Sequence, residues 1–109
     1  MARSRKRRSD SRHIVYVITN EVTNENYIGI TVGHTKKTLR ARIQKHVWRA
    51  LNESKGWAIC DSIINHGVEA HKYGILAVIR GKIEAHAVER DLISKYLPVL
   101  NSTGIRNLI

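Results

Sequence analysis

The sequence predicts an α+β fold: a small sandwich in which a short antiparallel sheet is flanked by helices, in the order ββααβα. Three observations lead there. Two β-branched and aromatic runs stand one hairpin apart near the start. Apolar residues then recur at helical spacing, and a third apolar run precedes another helical pattern. At 109 residues the chain is expected to form one domain with a modest core and no second catalytic or targeting module.

From 14 to 18 every residue is β-branched or aromatic, and the same character returns from 27 to 32. Residues 19–26 between them are polar and turn-prone apart from Val22, so the two runs read as a hairpin with a somewhat long loop. Leu39, Ile43, Val47 and Leu51 place a first helix over about 38–52, with Thr35 or Thr38 as N-cap and Gly56 beyond the end. A shorter helix over about 57–65 puts Cys60, Ile63 and Ile64 on one face, and Gly67 offers a stop. Tyr73, Ile75, Ala77 and Ile79 alternate with Gly74, Leu76 and Val78, an apolar run that suits a strand covered on both faces. A third helix over about 84–96 turns Ala85, Val88, Leu92 and Tyr96 inward, and Pro98 ends it. There is no internal repeat.

Nineteen Lys and Arg against nine Asp and Glu give a formal net charge of +10, which suits a polyanionic partner. Nucleic acid is the first candidate and an anionic membrane surface the weaker one. No apolar run reaches bilayer length, and the basic start is not followed by an uninterrupted apolar stretch. The expectation is a soluble cytoplasmic protein, not secreted, with no membrane partner and no small-molecule cofactor. The single Cys60 has no disulfide partner, and its neighbours Trp57, Ile59, Ile63 and Ile64 make it a buried small hydrophobe. Residues 1–12, with Arg3, Arg5, Lys6, Arg7, Arg8 and Arg12, lack core-forming side chains and read as a flexible basic arm before a folded domain at 13–109. Arg forks onto phosphate oxygens, so Arg5, Arg7 and Arg8 are candidate DNA contacts.

On the first helix Arg42 and His46 are four apart and share a face, at the flank of the Leu39, Ile43 and Val47 stripe. Such a pair lines a cleft, or else belongs with Lys45 and Arg49 to a solvated basic face. Glu89 borders Val88, Leu92 and Ile93 on the third helix; a carboxylate there pairs with a cation or binds a metal, because an unpaired buried charge is too costly. Asp91 points elsewhere. With the acids scattered, a two-metal site is not expected, but one divalent ion on Glu89, waters and a substrate phosphate is feasible. Tyr16 and Tyr27 read as strand packing residues unless nearby cations draw off a phenolic proton, whose ordinary pKa is about 10. Arg42 and His46 are the groups placed to do so. His13, His34, His66, His71 and His86 have no ligand-like spacing, and His66 before Gly67 suits a helix C-terminus.

Together these residues resemble the GIY-YIG nuclease family. Ile14-Val15-Tyr16 stands in the place of the first triplet, and Tyr27-Ile28-Gly29 matches the second. Arg42-x-x-x-His46, Glu89-x-x-x-Ile93 and Pro98-x-x-Asn101 follow in order, so the resemblance runs from His13 to about Gly104. It departs from the family at Ile14, which replaces a Gly, and in a longer link over 32–37, where Gly33, His34, Lys36 and Lys37 either contact DNA or form a simple connector.

The resemblance implies a three-stranded antiparallel sheet flanked by helices and a magnesium-dependent endonuclease that hydrolyses double-stranded DNA, with manganese as a substitute ion. Tyr16 would act as general base, Tyr27 and Arg42 would hold the scissile phosphate, and His46 would assist proton transfer. Glu89 would hold the single metal, and Asn101 would orient the site. A freestanding phage-type or homing-type nuclease, acting in the host cytoplasm or nucleoid as a monomer or DNA-induced homodimer, is the preferred form. The alternative is a non-catalytic DNA- or RNA-binding module on the same scaffold; a small ribosome-associated protein would share only the charge and size.

Overall fold

In a computed structural model, which describes residues 11–53 and 57–101, the expected order ββααβα is present. Strands β1 (Arg12–Asn20) and β2 (Glu25–Val32) form the hairpin, followed by helices α1 (Lys36–Asn52) and α2 (Ala58–His66). A 3-10 turn at Val68–Ala70 leads into β3 (His71–Arg80), then come α3 (Lys82–Tyr96) and a last 3-10 turn at Val99–Asn101. The sheet is antiparallel in the order β2-β1-β3, so the first strand is central. Arg12 opens β1, its carbonyl accepting from Gly33 N, while Ser11 O accepts from Gly81 N. Arg12, expected as the last residue of the arm, is thus the first residue of β1, while Arg5, Arg7 and Arg8 lie outside the described residues.

Period-two alternation divides β1 between two layers. Ile14, Tyr16 and Ile18 bury themselves against Leu39 and Ala50 of α1, Ile59, Cys60 and Ile63 of α2, and Leu100. Each such side chain removed from water contributes about 1.5–3 kcal/mol, so this layer is the main source of cohesion. Cys60 is buried as expected. On the other layer Val17, Ile28 and Ala77 face Val88, Leu92 and Tyr96 of α3 across an apolar groove of about 460 Å³. Tyr96 stands at its rim and is 58 % exposed rather than turned inward, because the helix ends there: Leu97 takes the left-handed conformation with φ 49° and Pro98 follows.

Local signals explain the boundaries. Thr35 is the N-cap of α1, its hydroxyl accepting from Thr38 N at 3.2 Å. Gly67, at φ 88°, closes α2 in a conformation that side chains resist. In the hairpin, Asn20 Oδ1 accepts from Val22 N at 2.9 Å, and Asn24 adopts φ 62°, which Asn tolerates better than most residues.

The third strand departs from expectation. It is an edge strand with neither face fully covered, and Tyr73, Ile75, Leu76 and Val78 are 37–45 % exposed. An apolar run reports a preference for burial without saying whether a partner layer reaches it; here the helices pack over β1 and β2 and leave β3 half dressed. Its pairing with β1 also shifts register between Val15 and Tyr16, where Val15 pairs with Ala77 but Tyr16 with Ile75. Leu76 is the extra residue of this bulge, a device that twists a strand and re-aims its side chains.

Candidate active site

Register brings the two tyrosines together. Tyr16 pairs with Gly29 and Ile18 with Tyr27, so both phenols stand on the α1 face of neighbouring strands, with ring centroids 6.2 Å apart. Gly29 makes room for this. A Cβ built there would lie 2.6 Å from Tyr16 Oη and 2.8 Å from the Tyr27 ring, closer than side-chain atoms approach. The glycine of the Tyr27-Ile28-Gly29 string thus serves the phenols more than the backbone.

Helix α1 supplies the next two groups from one face. His46 Nε2 lies 2.8 Å from Tyr16 Oη, and Arg42 Nε donates to the same oxygen at 3.4 Å. The His46 ring also meets the Tyr27 ring edge-on at 5.1 Å. Arg42 is half-buried, in the flanking position expected, but His46 is buried. The stripe from Leu39 to Ala50 is wider than three leucine-like positions, and the two phenols close over the imidazole. Lys45 is exposed; Arg49 is half-buried, and its charge acts on His46.

Electrostatics corrects one expectation. Burial raises the Tyr16 phenol above its ordinary value, and the hydrogen bond and charge of Arg42 only partly oppose it. Burial likewise raises Tyr27, and the neighbouring Tyr16 adds to this. The cations therefore do not leave a resting phenolate. His46 is pushed down to about 4, chiefly by burial and then by Arg42 and Arg49, so at neutral pH it is an uncharged base. Tyr16 O–H then donates to Nε2, while buried Nδ1 has no hydrogen-bond partner among the described residues.

Glu89, on α3, acts on the cluster through its charge, which raises both Tyr16 and Tyr27. Among the described residues it forms no ion pair with Lys or Arg; its partner is His86, whose Nδ1 lies 3.2 Å from Oε1. The carboxylate keeps 18 % of its side-chain surface exposed, which fits a group that offers an oxygen to a cation better than one locked in a structural pair. No three His, Cys, Asp or Glu among the described residues are grouped to hold a metal ion.

Asn101 lies at the β2 edge rather than against the phenols. Its Oδ1 accepts from Ile28 N and its Nδ2 donates to Ile28 O, both at 2.7 Å. It fixes the strand segment between Tyr27 and Gly29 and so positions the site through the backbone. Lys36 and Lys37 are exposed in the first turn of α1, which carries no acidic residue. Two cations at the positive end of a helix dipole oppose its stability. Such a placement suits phosphate.

A second polar cluster was not visible in the sequence. Asn20 Nδ2 donates to Ser62 Oγ at 2.7 Å and to His66 Nδ1 at 3.1 Å. Ser62 Oγ lies 2.7 Å from His71 Nε2, and His71 Nδ1 donates to Gly67 O at 2.7 Å. The carbonyl fixes the tautomer, so the serine proton points at Nε2. The only sequence cue was polar Asn20 ending an apolar strand.

Among the described residues no helix is long and apolar enough to cross a membrane. Comparison with known proteins adds no relative: no family model, no curated protein and no solved structure matches this chain.

Proposed function

We propose that this chain is a divalent-metal-dependent endonuclease that hydrolyses phosphodiester bonds in double-stranded DNA, in the manner of the GIY-YIG nucleases its motifs resemble. The observation that carries the reading is the convergence of Tyr16, Tyr27, Arg42 and His46, drawn from two strands and a helix, with the Glu89 carboxylate acting on both phenols. A binding surface has no use for a neutral buried base hydrogen-bonded to a phenol, or for one acid among so many cations.

In the proposed reaction the Tyr16 oxygen takes a proton from the attacking water as its own proton passes to His46 Nε2. The water oxygen bonds to phosphorus, the bond to the leaving oxygen breaks, and solvent protonates that oxygen. Neutral His46 is the acceptor that a phenol of raised pKa requires, and Arg42 stabilises the charge that grows on Tyr16 Oη. Tyr27 walls the site and presents its hydroxyl to the phosphate. Glu89 would hold the divalent cation, which supplies charge neutralisation at the phosphate and the leaving oxygen. Lys36, Lys37 and Lys45, together with Arg5, Arg7 and Arg8, would track the DNA backbone, contacts that position without reading sequence.

The test is cleavage of supercoiled plasmid with magnesium or manganese. Glu89→Ala is expected to abolish nicking while DNA binding in a gel shift is unchanged. A wild-type protein that binds DNA and never cuts it under any divalent ion would assign the scaffold to binding alone.

A further inference from the structure

We propose that His86 is a second protein ligand to the divalent cation, joining Glu89 in a mixed nitrogen and oxygen site that favours manganese or cobalt over magnesium; this rests on Glu89 being the metal-binding carboxylate. The two residues are three apart on α3, so their side chains leave the same face one turn apart. His86 Nδ1 and Glu89 Oε1 stand 3.2 Å apart. That is the long end of the roughly 2.7–3.2 Å range of N–H to oxygen hydrogen bonds. It matches two neighbouring ligands on one ion: bonds of about 2.1 Å give an edge of about 3.0 Å in an octahedron and about 3.4 Å in a tetrahedron.

Access and competition agree. The His86 side chain is 39 % exposed and that of Glu89 18 %, so a hydrated ion can reach both without the helix moving. In a chain with nineteen Lys and Arg, none of those described forms an ion pair with this carboxylate. The Glu89 charge also acts on both phenols. Two protein ligands leave the remaining positions for water and a phosphate oxygen. The choice of ion follows from the donor types: oxygen donors suit magnesium, whereas an imidazole nitrogen raises affinity for manganese, cobalt and their neighbours.

The test uses the full chain with manganese as the probe and reads the metal directly. Pulsed electron paramagnetic resonance of the manganese-loaded protein should show coupling to a directly bound imidazole nitrogen, absent in His86→Ala. Titration should give manganese affinity at least tenfold lower in His86→Ala, with magnesium affinity changed by less than threefold. His86→Asn, which keeps a hydrogen bond to the carboxylate, should fail to restore either signal. If wild type shows no nitrogen coupling while Glu89→Gln abolishes manganese binding, His86 merely steadies the carboxylate and the proposal is overturned, with Glu89 still the metal ligand. If Glu89→Gln leaves manganese affinity unchanged, the ion sits elsewhere and both readings fall. Because both side chains are partly exposed at a helix surface, unchanged circular dichroism should accompany every variant.

Discussion

Two histidine clusters stand on the same face of β1, four residues apart, and a small cavity of about 70 Å³ touches both His46 and His71. They are built to different standards. In the cluster around Asn20, Ser62 and His71, each proton has an acceptor and the chain ends on the Gly67 carbonyl. In the cluster around Tyr16 and His46, one imidazole nitrogen is buried without a partner among the described residues, two cations bear on the ring, and the acid–base groups are moved from their ordinary values. A satisfied polar network holds a fold; an unsatisfied and electrostatically loaded one is where chemistry is found. A serine against a histidine would elsewhere invite a catalytic reading, but here the Ser62 oxygen is occupied on both sides and buried.

That contrast is open to experiment, and the greatest effect belongs to the loaded cluster. Tyr16→Phe is expected to lower plasmid cleavage by about 10²- to 10⁴-fold with DNA affinity retained, whereas Ser62→Ala should cleave within a few-fold of wild type. Equal losses in the two variants would dissolve the distinction. Next is acid sensitivity. A histidine held at about 4 in the fold and 6.5 when unfolded binds its proton only on unfolding between those values, so its stabilisation is complete above 6.5 and is lost as pH falls toward 4. The loss is roughly 3 kcal/mol, visible as a falling urea midpoint across that window, and His46→Gln should flatten the slope.

Smaller effects are expected from the satisfied cluster, and they fall on stability. Asn20→Ala removes the turn contacts at Val22 and Thr23 and the donor to Ser62 together, and should cost roughly 2–3 kcal/mol in chemical denaturation. Ser62→Ala, which leaves His71 and Asn20 each short of one partner, should cost about 1–2 kcal/mol. A Ser62→Ala protein of unchanged midpoint but lost cleavage would reverse the assignment of roles.

Much of the scaffold could be read from pattern, because its determinants are local. Alternation from Ile14 to Ile18, the Thr35 cap, Gly67 and Pro98 each act within a turn or a strand of themselves. The candidate site was legible as a set of residue types, since spacing of four on one helix puts Arg42 and His46 side by side whatever surrounds them. Their state was not. That His46 is buried and uncharged depends on two phenols brought over it by the Tyr16–Gly29 register, a contact thirty positions away in sequence. Exposure of β3 was hidden for a related reason: Tyr73, Ile75 and Val78 state an appetite for burial, and only the placement of the helices decides whether it is met. The Leu76 bulge and the Asn20 network likewise depend on pairings that no window of sequence contains.

One consequence follows from the two bonds between Asn101 and Ile28. An amide side chain here takes the part of a fourth strand for a single residue, and it comes from 73 positions downstream. During synthesis the hairpin can close as soon as β2 has emerged, yet the Ile28 position on the outer edge of that strand waits for Asn101 to be made. The amide hydrogen of Ile28 is thus a natural clock: its exchange with heavy water should slow only when the C-terminal turn has docked, marking the moment at which a nascent chain acquires a rigid site.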